Sequence, residues 1–233
     1  GRDFPAAYSS EAVLSQPARE RLTSLSGQKL TEPLQQGLEQ LGEDPADHPC
    51  SAYLAYLDLL VSWNRSYNLT AIRDPERMLT HHLLDSLSLL PLVRGEHCLD
   101  VGTGAGLPGM ILALARPAQH WVLLDSNTKK LRFLNQVLLE LKPANVELVR
   151  SRVEKYQPAR LFSTVCCRAF ASLLLFHRQA HHLAAPDGVL LAMKGKHPGP
   201  EAAEFDAAGL QYNVKQLIVP ALEAERHVVV IHP

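Results

Sequence analysis

The residues best suited to chemistry lie in one short run, Asp100-Val-Gly102-Thr-Gly104-Ala-Gly106-Leu107-Pro-Gly109. Glycines at this density let a backbone turn tightly and approach a ligand with no Cβ in the way. Asp125 follows 23 residues after Gly102. A carboxylate at the end of the next strand accepts hydrogen bonds from ribose hydroxyls, so turn and acid together point to an adenine nucleoside. Which nucleoside is left open by the motif, because Gly104, Gly106 and Gly109 also satisfy the G-x-G-x-x-G pattern of dinucleotide sites. S-adenosyl-L-methionine is favoured, since it carries no phosphate that demands an anion site and no second mononucleotide-binding half follows. Asp100, beside the turn, suits either the cationic amino group of that cofactor or the anchoring of the loop.

Candidate substrate contacts are Arg168, Asn68, Lys194 and Arg152. Arg168 is expected at the carboxyl end of the fourth strand, where open α/β sheets hold their ligands. An ion pair that fixes a loop is the other role open to it. Arg152 and Lys194 suit phosphate. Asn68 reads equally as a cap or turn residue. Lys129, Lys130 and Arg132 belong to a segment, 126–152, with six Lys/Arg against two Asp/Glu, a local +4. Such a stretch is either a patch for phosphates or a solvated helix face. The chain as a whole is at −1, and residues 1–49 hold four Lys/Arg against eight Asp/Glu.

The adjacent pairs His81-His82 and His181-His182 diverge on a helix, so no metal site is expected. The four cysteines form no CxxC pair and sit mostly in apolar runs, which points to a reducing, cytoplasmic setting. There is no apolar run of about 18 residues and no basic segment leading into an apolar core, so neither a membrane span nor a secretory leader is expected.

These groups need elements to position them. With 233 residues, 46% hydrophobic and 20% charged, the chain suits one globular α/β unit, expected as a monomer. A poorly ordered extension is expected over residues 1–30, a helical segment over 31–95 and the main domain over 96–233. Leu34, Leu38 and Leu41 suggest one face of a short helix, and residues 51–61 repeat at helical spacing. Asp74-Pro75 then reads as a cap followed by proline at the first helical position, opening a helix through Leu79, Leu83, Leu87 and Leu90. From residue 97 the period alternates. Strands are predicted at 97–101, 121–124, 146–149, 164–167 and 189–193, with helices at 108–115, 128–142 and 173–183. Strands near 214–219 and 228–231 close the chain. The alternation implies right-handed βαβ units in a mostly parallel sheet, ending in an antiparallel pair.

Several stretches, taken in order, resemble the RsmG (GidB) family of 16S rRNA guanine-N7 methyltransferases. They are Trp63-Asn-Arg-Ser-Tyr-Asn-Leu-Thr70, Arg73-Asp-Pro75, His82-Leu-Leu-Asp-Ser86, the glycine run, and Leu124-Asp-Ser126 with Lys129-Lys130. Ser151-Arg-Val-Glu154, Arg168-Ala-Phe-Ala-Ser172, Lys194-Gly195, Pro220-Ala-Leu-Glu223 and Glu225-Arg-His227 continue the series, so the likeness covers roughly 33–232. The resemblance implies a Rossmann-like S-adenosylmethionine-dependent methyltransferase fold with an N-terminal helical cap. It implies cofactor contacts at Gly102, Leu107, Val153, Glu154 and Arg168, with Asp125 at the ribose. The implied substrate is a guanine of 16S rRNA within a small ribosomal subunit or its assembly intermediate. A different methyl acceptor, a non-catalytic RNA-binding assembly factor and an oxidoreductase remain the alternatives. Departures from the family pattern fall at Ile111, Lys155, Ser163, Cys167 and Ala224.

Overall fold

The computed structural model describes Ser15, Gln16 and residues 25–233, so most of the expected N-terminal extension lies outside the described residues. Seven strands form one sheet: β1 (His97–Val101), β2 (His120–Asp125), β3 (Val146–Arg150), β4 (Phe162–Arg168), β5 (Ala184–Lys194), β6 (Tyr212–Leu217) and β7 (Arg226–Ile231). Their order is β3-β2-β1-β4-β5-β7-β6. The first five in that order are parallel, and β7 runs antiparallel to both β5 and β6. From β1 the chain winds outward through β2 and β3, then crosses back to β4 on the other side. The carboxyl ends of β1 and β4 therefore flank a topological switch point, where an open α/β sheet leaves a crevice.

Alternate residues along the strands serve two cores, as the pleat requires. Leu99, Val101, Val122, Leu124, Val165 and Cys167 pack on one face, against Phe176 of α6 (Leu173–Ala180) and Phe205 of α7 (Gly199–Ala207). Cys98, Trp121, Leu123 and Cys166 face the other way. There they meet α4 (Gly109–Ala115), α5 (Thr128–Leu141) and the N-terminal helices.

Those N-terminal helices are α1 (Leu25–Gln40) and α2 (Cys50–Tyr67). The first begins ahead of the boundary expected at residue 31. Leu30, Leu34 and Leu38 of α1 are buried, each contributing roughly 1.5–3 kcal/mol, so the cap is welded to the sheet through a shared core. Residues 52–57, 59 and 60 of α2 are buried on nearly every side, as expected for the central helix of the cap. Asn68 ends α2 in the left-handed region, with φ +49°.

Two local shapes differ from the periodic reading. The helix α3, opened by the Asp74 side chain accepting from the Arg77 amide, is α-helical over Pro75–Met78 and π-helical over Leu79–Leu84. It returns to α-helix at Asp85–Leu87. The strand predicted at 189–193 begins earlier, at Ala184, and Pro186-Asp187-Gly188 forms an irregularity within β5, where Phe162 pairs Ala184 and Thr164 pairs Val189.

Candidate active site

At the end of β1 the chain turns at Gly102 with φ +66°, a conformation that side chains rarely adopt. A Cβ there would meet nothing within 4 Å, so the position opens onto free space. Gly109 is needed for the opposite reason: a Cβ would stand 2.6 Å from that of Asp100, and α4 could not approach β1 so closely. Asp100 is fully buried and holds the turn from within. Its Oδ2 accepts from Thr103 Oγ1 at 2.6 Å and from the Gly109 amide at 2.8 Å. Burial pushes this carboxyl up to about 6, against the pull of those two donors. Its Oδ1 is buried and has no hydrogen-bond partner among the described residues. From the cap, the buried Tyr56 hydroxyl donates to the Ala105 carbonyl at 2.7 Å, so α2 clamps the turn on its outer side.

β2 delivers Asp125. Its Oδ2 accepts from the Gly104 amide at 2.9 Å and its Oδ1 from the Asn127 amide at 2.8 Å. Asn127 in turn caps α5, accepting from the Lys129 and Lys130 amides. A carboxylate oxygen has a second lone pair, so Asp125 can hold the turn and still accept from sugar hydroxyls.

Between these loops opens a cleft of about 380 Å³, within the usual range for small-molecule sites. Gly102, Asp125 and Ser126 line it on one side, the segment Ser151-Arg152-Val153-Glu154 on another, and Phe170 on a third. The chemistry matches an adenosyl group. Val101, Leu124, Val153 and Phe170 offer apolar walls for a purine, and Asp125 faces where a ribose would lie. Phe170 reaches the cleft through a strained turn at Ala169, whose φ is +59°.

The expected site residues thus divide. Gly102, Asp125, Val153 and Glu154 line the cleft, joined by Arg152, which was assigned to phosphate and which pairs loosely with Glu154 at 4.0 Å. Asp100 takes the anchoring role of its two and does not line the cleft. Gly106 and Leu107 are buried rather than exposed to the cleft: Leu107 joins the core, and a Cβ on Gly106 would press on Leu134 and Met110. Arg168 leaves the end of β4 toward the cap, with Nη1 3.6 Å from Asp85 and 3.2 Å from the His81 carbonyl. Lys194 Nζ is held by both oxygens of Glu201, at 2.9 and 3.0 Å. Asn68 is an exposed helix cap whose Oδ1 accepts from Arg73 at 3.0 Å. Lys129 and Arg132 are exposed on α5, whereas Lys130 Nζ lies 3.9 Å from where a Cβ on Gly104 would be, against the glycine turn. Among the described residues no group of three or more His, Cys, Asp or Glu could hold a metal ion, and no helix is long and apolar enough to cross a membrane.

Residue-level reading missed Ser126, Ser151 and Phe170 in the cleft, Tyr56 on the turn and Asp85 beside Arg168. Ser126, Ser151, Phe170 and Asp85 sit inside four of the stretches that carry the resemblance. Their place there was the available signal.

Comparison with known proteins agrees with this geometry. A structure titled as an S-adenosylmethionine-dependent methyltransferase from Aquifex aeolicus superposes with a TM-score of 0.55 at 20% identity, covering 71% of this chain and 97% of that one. That likeness shows the fold, a Rossmann-like methyltransferase sheet closed by an antiparallel hairpin. The ribosomal RNA small subunit methyltransferase G of Ectopseudomonas mendocina is 47% identical over 206 residues, spanning 88% of this chain and 96% of its own length. Its counterpart in Nitrosococcus oceani is 48% identical over 200 residues, covering 86% of this chain and 94% of the relative. The family model described as "GidB: rRNA small subunit methyltransferase G" matches residues 50–229, a span that holds the glycine turn, Asp125 and Phe170. Sheet, cleft and matched span converge, and this chain belongs to the GidB family of rRNA small subunit methyltransferase G proteins.

Proposed function

We propose that this protein transfers the methyl group of S-adenosyl-L-methionine to N7 of a guanine in 16S rRNA, acting in the cytoplasm on a small ribosomal subunit or its assembly intermediate. The observation that carries the reading is the cleft at the switch point, with Asp125 fixed at its rim by the Gly104 amide in a chain of this family. Backbone at Gly102 and Gly104 admits the ligand, Asp125 accepts from its sugar, and Leu124, Val153 and Phe170 enclose its purine. Bound there, the cofactor supplies an already activated methyl group on a cationic sulfur.

Guanine N7 carries a lone pair and no proton, so no side chain has to act as a general base. The protein's task is orientation, which can supply roughly 7–11 kcal/mol of a barrier of this kind. Arg168 is placed to help, since Nη1 is spent on the protein while Nε and Nη2 make no hydrogen bond among the described residues. An N–H aimed at N7 would occupy the reacting lone pair, so Arg168 serves by holding O6 or a phosphate. Lys129, Arg132 and Arg152 supply charge for the RNA backbone. The target base has to be unpaired or flipped for N7 to reach the methyl group.

The test is a partition experiment. Methyl-labelled S-adenosylmethionine is incubated with the protein and undermethylated small subunits, naked rRNA or a metabolite extract. Label is expected in the RNA fraction, and label confined to metabolites would refute the rRNA substrate.

A further inference from the structure

Polar groups form a continuous chain across the seam between cap and sheet, and of them only Arg168 has a part in the proposed methyl transfer. Asp85, 2% exposed, receives Arg226 Nε at 3.1 Å on Oδ1 and faces Arg168 Nη1 at 3.6 Å on Oδ2. Arg168 Nη1 donates to the His81 carbonyl at 3.2 Å, and His82 Nδ1 lies 3.0 Å from the same oxygen. His82 Nδ1 also lies 3.3 Å from Arg168 Nη1, and His82 Nε2 shares a hydrogen bond with the Thr70 hydroxyl at 2.8 Å. Burial, followed by the Arg168 charge, lowers the His82 pKa to about 4 and keeps the ring neutral. Thr70 Oγ1 accepts from the Ile72 amide at 3.2 Å, while the Thr70 amide donates to the buried Asn64 side chain at 2.9 Å. The chain therefore runs from the start of β7, through the end of β4 and the π-helical turn of α3, into the loop that carries Asn68 and Arg73.

We propose that Asp85, His82 and Thr70 are positioning residues that lock the 68–73 loop to Arg168, so that both meet the substrate as one preformed surface. A buried carboxylate shared by two arginines is costly to break and has one favourable arrangement, which suits a part that must not drift. The π-helical widening of α3 lies between these contacts, with His82 inside it and Asp85 directly after it. None of the three side chains lines the cofactor cleft. The seam therefore acts on the orientation of substrate and leaves cofactor affinity alone.

The catalytic half of this inference rests on the proposed methyl transfer, and the structural half does not. The test combines hydrogen exchange with kinetics on the full chain carrying Asp85→Asn. The Thr70 and Ile72 amides are expected to exchange at least tenfold faster than in wild type, with the amides of β1 and β2 unchanged. On small subunits kcat should fall at least tenfold, while the Kd for S-adenosylmethionine stays within twofold. Should that variant fail to fold, Thr70→Val is expected to lower kcat at least threefold, and Thr70→Ser to restore it. Wild-type exchange at Thr70 and Ile72 in Asp85→Asn, or a fall in melting temperature with kcat intact, would overturn the proposal. If wild type leaves the subunits unlabelled, the substrate reading fails, and exchange at the two amides still decides whether the seam is coupled.

Discussion

Asp125 does two jobs with one carboxylate: it ties the glycine turn to β2 through the Gly104 amide, and it stands at the rim of the cleft. Asp125→Ala should weaken S-adenosylmethionine binding by about 1–3 kcal/mol, the usual cost of leaving polar groups poorly paired. Titration calorimetry measures this directly, and an unchanged Kd would remove Asp125 from the site. Asp100 gives a pH prediction. Its pKa in the fold is raised to about 6 from an ordinary 3.8, so the folded state binds this proton more tightly than the unfolded chain does. The stability it contributes is complete below the unfolded pKa and is lost as pH rises through about 6, a change on the order of 3 kcal/mol. Asp100→Asn lacks that titration. Its stability relative to wild type, from urea unfolding, should rise by this order between pH 4 and 7 and then level off. A flat difference would mean that Asp100 is not buried as described. The placement of both aspartates beside the glycine turn was legible in sequence, because it depends on spacing along a local segment. Asp85 was not, because Arg226 lies 141 residues away and only the folded sheet joins them.

Among the elements, α5 carries the basic stretch, and the structure splits its lysines. Lys129 and Arg132 are exposed, while Lys130 is drawn onto the glycine turn. Replacing Lys129 and Arg132 by alanine should reduce the slope of log K for RNA against log salt by roughly one unit per lost phosphate contact, with cofactor affinity unchanged. An unaltered slope would make this face a solvated one. The sheet was legible because each strand and helix declared its own period. The π-helical turn was hidden by composition: leucine stands at 79, 83, 84, 87, 89 and 90, so inserting one residue into a turn leaves apolar side chains inward in either register. The irregular start of β5 was hidden by Pro186-Asp187-Gly188, which reads locally as a turn although its flanks pair with β4.

At the scale of the whole molecule, the cap and the sheet share one core, and the cap also touches the glycine turn. Tyr56 makes the link concrete, reaching from α2 to the Ala105 carbonyl inside the glycine turn. Tyr56→Phe removes that donor from a buried carbonyl and should cost about 1–3 kcal/mol in chemical denaturation. A loss near zero would mean that the cap rests on the turn without holding it. Sequence spacing gave N-terminal helices ahead of an alternating α/β segment, and only the resemblance implied that those helices form a cap. Spacing gave no sign that Tyr56, Asp85 and His82 would bind cap to sheet, since such contacts depend on how the two pack. The central claim is tested most directly by mapping the modified nucleotide: small subunits from cells lacking this protein are treated with it and S-adenosylmethionine, and their 16S rRNA is digested for mass spectrometry. The account predicts one new 7-methylguanosine in the RNA. A methyl group on any other atom, or RNA whose mass is unchanged, would contradict it.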